Sequence, residues 1–315
     1  MKSFLKMINH LKKKYGSLSN WAKIFIFIVL ILIILSFFKK PYSQSQEGFI
    51  QKESFVQKTG SEVYDDFYAD IYDYLVYSDL KNEYELGEII NKTTPTLESI
   101  ILDIGSGTGH HVGSLSRDNL NVIGIDVSDA MVKKSKENYP SANFKTGDAN
   151  NSDLFQPNTF THILSMYFTI YYFKNKHDFF ENCYRWLKPG GFLVIHLVNK
   201  DMFDPILPPG NPLLFVSPQK YAKKRITKTK IAFTDFSYES EFKLDENNKN
   251  ICYFIEKFKN KENNQSRKNE HILYMDSQEA ILTTAQETGF ILEAQADLIK
   301  SQYEYQYLYF LIKPS

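Results

Sequence analysis

Between positions 100 and 200 the apolar residues fall into short runs separated by helical spacing. Ile100–Ile104, Val122–Asp126, Asn143–Thr146, Thr161–Met166 and Phe192–Val198 read as strands. A helix is predicted from about His110, a second opens at Ser128-Asp129-Ala130-Met131-Val132 with Ser128 as its N-cap, and a third covers Phe179–Leu187. Lys188-Pro189-Gly190-Gly191 then turns the chain into the fifth strand. Strands alternating with helices at this spacing predict a parallel sheet with right-handed crossovers. Upstream, Tyr64–Tyr74 reads as an aromatic and acidic helix, with a second running through Ile90.

Beyond Val198 the rhythm changes. Phe203–Pro218 is proline-rich, and alternating runs at Ile231–Tyr238, Ser240–Leu244, Cys252–Phe258 and His271–Tyr274 predict antiparallel strands. A helix over Gln278–Thr288 stops at Gly289, and Tyr303, Tyr305, Tyr307 and Tyr309 alternate down a closing strand. The insertion thus covers about residues 200–276, and no internal repeat is visible.

The N-terminus reads as something separate. Residues 1–20 form a basic tail whose Phe4, Leu5, Ile8 and Leu11 share one helical face. Ile24–Phe38 carries no charge. With Trp21, Ala22 and a snorkelling Lys23 it would reach ~27 Å as a helix, which predicts a single-pass membrane anchor over residues 21–40. A cleaved signal peptide is the rival reading, and the side of the membrane on which the domain lies stays open. Residues 41–60 have linker composition, leaving 61–315 as the domain.

The chemistry concentrates where the first strand ends. Ile101-Leu102-Asp103-Ile104-Gly105-Ser106-Gly107-Thr108-Gly109 runs from a strand into a glycine turn, which lets backbone approach a ligand closely. Asp126, at the end of the second strand, suits a ribose diol; Asp148, in Gly147-Asp148-Ala149, suits an exocyclic adenine amine. Asp103 precedes the first glycine by two residues. An anion there repels a pyrophosphate and attracts an ammonium or sulfonium.

This order of landmarks resembles the class I S-adenosylmethionine (SAM) dependent methyltransferases. The resemblance extends to Ala69-Asp70-Ile71-Tyr72-Asp73, to Gly107-Thr108-Gly109-His110-His111 and to Ser165-Met166-Tyr167, and is nearest to the small-molecule N-methyltransferases that act on amino-deoxysugars. It implies a Rossmann-like sheet with its last strand antiparallel and SAM as cofactor. It also implies cofactor contacts from Asp103, Gly105, Ser106, Gly107, Gly109, Asp126, Val127, Met131, Asp148, Ala149 and Met166. Methyl transfer needs alignment and exclusion of water more than a catalytic triad. The candidate catalytic residues are His196, near the end of the fifth strand, Tyr72 and Tyr167; each has an alternative reading as core packing. His111 is a further candidate, for the cofactor or for a helix cap.

Composition narrows the alternatives. Lys+Arg and Asp+Glu are both 37, so no net field recruits nucleic acid, and a small-molecule substrate is expected. Cys183 and Cys252 show no metal or disulfide spacing. The basic run from Lys220 to Lys230 reads as a solvated face, with an anionic membrane or phosphorylated substrate as its alternative. Two other functions stay in view: a SAM-binding scaffold without catalysis, and an NAD-dependent oxidoreductase on the same fold. The second lacks G-x-G-x-x-G.

Overall fold

The computed structural model describes residues 18–38, 53–210 and 217–315. The basic tail up to residue 17, the surface-helix face within it and residues 39–52 lie outside the described residues. Helix α1 (Asn20–Phe38) belongs to a unit distinct from Gly48–Ser315.

The membrane anchor is corrected here. Among the described residues no helix is long and apolar enough to cross a membrane. Asn20 and Lys23 occupy the first turn of α1, so its uncharged stretch, Ile24–Phe38, is 15 residues. At the helical rise that reaches roughly 22 Å, short of a hydrocarbon core of about 30 Å.

In the larger unit seven strands form one sheet in the order β11-β12-β6-β5-β2-β3-β4. They are β2 (Ile100–Ile104), β3 (Asn121–Asp126), β4 (Asn143–Thr146), β5 (Phe160–Ser165), β6 (Leu187–Val198), β11 (Ile291–Leu298) and β12 (Tyr303–Ile312). β2 to β6 run parallel, while β12 lies antiparallel to both β6 and β11. Helices α2 (Asp66–Val76), α3 (Asp79–Thr93), α4 (His110–Arg117), α5 (Asp129–Asn138), α6 (Lys176–Trp186) and α7 (Gln278–Glu287) complete the unit. Leu102, Ile163, Leu193 and Ile195 in the middle strands are fully buried, because both faces of a parallel sheet are covered. This is the expected Rossmann-like, mixed sheet.

Three details depart from the sequence reading. β6 begins at Leu187 and runs through Pro189-Gly190-Gly191, a register shift against β5 absorbing the irregularity and Gly190 taking φ +75°. β11, mostly exposed, went unrecognised because an exposed edge strand loses its apolar alternation. The strand expected over Ile231–Tyr238 is a hairpin: β7 (Lys228–Ala232) turns at Thr234-Asp235 into β8 (Phe236–Leu244).

The insertion forms a second sheet, in the order β1-β10-β9-β8-β7, with β9 (Ile251–Asn260) and β10 (Ser266–Tyr274). Its outer strand β1 (Phe55–Thr59) lies within the stretch expected to be linker and pairs in parallel with Ser266–Glu270. The domain therefore begins before residue 60, and the boundary at 61 is corrected. Without β1 the β10 edge would present unpaired backbone groups. A chain of residues 48–315 should melt at least about 3 °C above one of residues 61–315, the shift expected for a kcal/mol or so in a domain of this size. Equal melting temperatures would show that β1 adds nothing.

Candidate active site

The carboxyl ends of β2, β3, β4 and β5 converge on a cavity of about 500 Å³. Of the expected cofactor contacts, Gly105, Gly107, Asp126, Val127, Met131, Asp148 and Ala149 line it. A smaller cavity of about 90 Å³ shares Tyr72, Gly105, Gly107 and Tyr167 with it and adds Asp103, Ser106 and Met166. Gly109 lines neither. It takes φ +92°, and a Cβ there would come within 2.7 Å of the Phe144 ring, so its role is to let α4 pack against β4.

The glycine turn is held by backbone geometry. Gly105 and Gly107 have φ of +71° and +53°, and both amides of Gly105 and Ser106 donate to the Ile125 carbonyl. Asp126 Oδ2 accepts from the Gly107 amide at 3.0 Å and Oδ1 from the Ser128 amide at 2.9 Å. Burial raises the Asp126 pKa, and these backbone bonds only partly counter it. A Cβ on Gly107 would meet nothing nearer than Tyr72, at 3.9 Å, so the space it borders is cavity.

Two buried polar atoms at the turn lack protein partners among the described residues: Asp103 Oδ1 and Ser106 Oγ. Burial pushes the Asp103 carboxyl up to about 7. An orphaned carboxylate is costly unless a donor or cation arrives. Nearby, Glu85 is paired with Lys81 and accepts from His111 Nε2 at 3.1 Å. Burial opposes its charge, but Lys81 and His111 overcome that and hold it down at about 2. His111 is thus committed to Glu85. Asp148 Oδ1 accepts from both the amide and the side chain of Asn150, each at 2.9 Å.

Of the candidate catalytic residues, the cavities receive Tyr72 and Tyr167 but not His196. His196 is fully buried, its Nδ1 bonded to the Tyr167 carbonyl and its Nε2 3.0 Å from Gln306 Oε1. Because a carbonyl only accepts, Nδ1 carries a hydrogen toward Tyr167. Burial, reinforced by Lys81, lowers the imidazole to about 4, so it stays neutral and accepts no proton near pH 7. His196 instead braces Tyr167, whose φ of +51° is unfavourable for a non-glycine residue. Lys81 sits 5.0 Å above the Tyr167 ring.

The sequence reading missed Tyr64, Tyr172 and His271, all of which line the large cavity, together with Glu256 behind them. The insertion contributes Phe242, Phe254 and Leu273, and the loop after β6 contributes Phe203 and Leu207. One end of the cavity is therefore acidic and glycine-lined, the other aromatic.

Residues 102–195 match a protein-family model described as a methyltransferase domain. The chain is 32% identical over 142 residues to a dTDP-4-amino-2,3,4,6-tetradeoxy-D-glucose N,N-dimethyltransferase of Saccharopolyspora spinosa, covering 43% of this chain and 56% of that protein. It is 25% identical over 141 residues to a dTDP-3-amino-3,4,6-trideoxy-alpha-D-glucopyranose N,N-dimethyltransferase of Streptomyces venezuelae, covering 42% and 58%. The chain thus spans a little over half the length of these relatives. Its fold is that of a SAM-dependent methyltransferase from Clostridium acetobutylicum, with TM-score 0.60, 15% identity and coverage of 79% and 98%. DesVI of Streptomyces venezuelae superimposes with TM-score 0.56, 18% identity and coverage of 79% and 98%. A class I methyltransferase fold, a methyltransferase-domain match and an orphaned carboxylate at a glycine turn agree on SAM as cofactor.

Two outcomes test this geometry. The folded-state pKa of Asp103 lies above its ordinary value of 3.8, so between about 4 and 7 the native state keeps a proton that the unfolded chain has lost. Stability without ligand should fall as pH rises through that window. A cation beside Asp103 requires the ionised form, so SAM affinity, read by calorimetry from pH 5 to 7, should tighten; Asp103→Asn should flatten the slope. An equal slope in both proteins would remove the assignment. His196→Ala should cost about 2–3 kcal/mol in denaturant melts, because it strips a buried network and the brace on Tyr167. Wild-type stability in that variant would count against the brace.

Proposed function

We propose that this protein transfers a methyl group from SAM to an amine or hydroxyl of a small molecule, with amino sugars among the candidate acceptors. One observation carries the reading. Asp103, with its Oδ1 unpartnered at the glycine turn, and Asp126 and Asp148 along the strand ends support recognition of a cation, a ribose and an adenine in that order, and the space continues to an aromatic end.

In this reading Asp103 and Ser106 receive the methionine ammonium, Asp126 the ribose hydroxyls and Asp148 the adenine amine, while Val127, Met131, Ala149 and Met166 provide apolar contact. SAM supplies an electrophilic methyl carbon when bound. Tyr72 and Tyr167, at the junction of the two cavities, position the acceptor against it. Phe203, Phe242 and Phe254 exclude water from the reacting centre.

The lining bears on the acceptor. No lysine or arginine is among the described residues of the large cavity, so an amine or hydroxyl head fits inside it. A diphosphate arm, like those in the names of the two sequence relatives, would find no cation there. An NAD-dependent reading is disfavoured because the Asp103 carboxylate faces the place of a pyrophosphate. The non-catalytic scaffold predicts binding without turnover.

Incubating the full chain with methyl-labelled SAM and extract of the source cells separates these readings. A labelled small molecule formed by the wild type and not by Gly107→Val, whose side chain would fill the cofactor cavity, is the expected result. SAM binding with no labelled product would establish the scaffold instead.

A further inference from the structure

The large cavity holds a chain of hydrogen bonds that leads from its wall into the insertion. Tyr64 Oη lies 2.7 Å from Tyr172 Oη, which lies 2.7 Å from His271 Nδ1. His271 Nε2 lies 2.9 Å from Glu256 Oε2. The tyrosines are half-buried at the cavity wall, His271 is 2% exposed and Glu256 0%. Three separate parts of the chain supply them: the approach to α2, the turn after β5, and the paired strands β9 and β10.

With a neutral His271 ring, the direction of every hydrogen in this chain follows from Glu256. Burial opposes its charge, but hydrogen bonds from His271, Tyr238 and Asn269 outweigh burial and hold the carboxyl below its usual range. The Tyr238 hydroxyl donates to Oε1 at 2.7 Å. The Asn269 amide cannot be turned round, since its oxygen accepts from Arg267 Nε at 2.7 Å, so its NH2 faces Glu256. A carboxylate accepts only, so His271 carries a hydrogen on Nε2; in a neutral ring Nδ1 is then an acceptor. The Tyr172 hydroxyl must then donate to Nδ1, and its oxygen must accept from Tyr64. Tyr64 is left offering lone pairs, and no hydrogen, to the cavity.

A network that served only to join the insertion to the sheet would close on itself. This one is closed by an ionised group at the buried end and open at the end that borders the cavity.

We propose that Tyr64, Tyr172, His271 and Glu256 form a one-directional proton-accepting chain, and that the methyl acceptor is a hydrogen-bond donor, an amine N–H or hydroxyl O–H, that docks on Tyr64 and releases its proton into the chain. The release rests on the methyl-transfer reading; the one-directional chain does not. As the acceptor atom forms its bond to the methyl carbon, the carbon–sulfur bond breaks and its electron pair stays on sulfur. The acceptor proton passes to Tyr64, the Tyr64 proton to Tyr172 and the Tyr172 proton to His271 Nδ1. The product is an imidazolium beside the Glu256 carboxylate, where the pair is neutral overall. Tyr64 is the catalytic residue in this scheme; Tyr172, His271 and Glu256 act through it.

Two measurements on the full chain test the proposal. Nitrogen-15 NMR of histidine-labelled protein, with His271 assigned by loss of its signals in His271→Gln, should give a neutral ring carrying its hydrogen on Nε2 at pH 7. A hydrogen on Nδ1, or an imidazolium, overturns the chain. Tyr172→Phe removes one oxygen and keeps the ring; it should stay folded and keep the SAM affinity of the wild type while labelling of the acceptor in extract falls 10²–10⁴-fold, the usual worth of a positioned proton acceptor. Tyr64→Phe should give the same split. Undiminished labelling in both overturns proton acceptance. A wild type that labels nothing removes the methyl-transfer reading, and the tautomer alone then decides the chain.

Discussion

The Asp126 carboxylate clamps two turns at once. One oxygen holds the Gly107 amide and the other the Ser128 amide, while the neighbouring Ile125 carbonyl takes the amides of Gly105 and Ser106. Four backbone donors are thereby satisfied at the end of a single strand, and the turn after β2 stays open instead of folding into the crevice. Ser128 carries the effect onward. Its hydroxyl caps α5 through the Met131 amide and reaches the carbonyl of Tyr64. The cofactor turn, the helix behind it and the tyrosine at the cavity wall therefore share one anchor.

The aromatic end of the cavity depends on a different join. Arg267, 4% exposed, donates to Asp65 Oδ2 at 2.8 Å and to the Val63 carbonyl at 3.1 Å, and lies over the Phe67 ring. With β1 paired to β10, this ties the segment entering α2 to the insertion. The same Asp65 caps α2 by accepting from the Tyr68 amide. Each of these contacts is local to a few side chains, yet together they fix the spacing between Tyr72 on the helix and His271 on the sheet.

The parallel half of the fold was legible because its strands are short, β-branched and punctuated by turns, and because Asp103, Asp126 and Asp148 fall at successive strand ends. The insertion was less so. In β10 the inward face is Arg267, Asn269, His271 and Leu273, and in β9 it includes Cys252, Glu256, Phe258 and Asn260. Polar residues on both faces erase the alternation that would mark the buried one. The pairing of Asn269 with Glu256 is the missing information, and it is a tertiary fact. His196 failed as a candidate for a related reason: position near a strand end does not say on which side of the sheet a ring finds its partners. In a chain with 21 tyrosines, Tyr64 and Tyr172 had no local feature to separate them from packing residues.

The antiparallel seam at β12 bears on how the protein is made. β6 pairs with β5 on one side and with Gln306–Ile312 on the other, and Leu193, Val194, Ile195 and Leu197 are completely enclosed. During synthesis β6 is complete long before its second neighbour exists. For that interval the nascent chain displays a long apolar edge, the kind of template that recruits other chains. Gly190 and Gly191 exchange backbone hydrogen bonds with Lys313, whose ammonium also reaches the carbonyls of Tyr184 and Leu187. Closure of the sheet thus waits on β12, and until that strand pairs, the edge of β6 is the part of the fold most in need of cover.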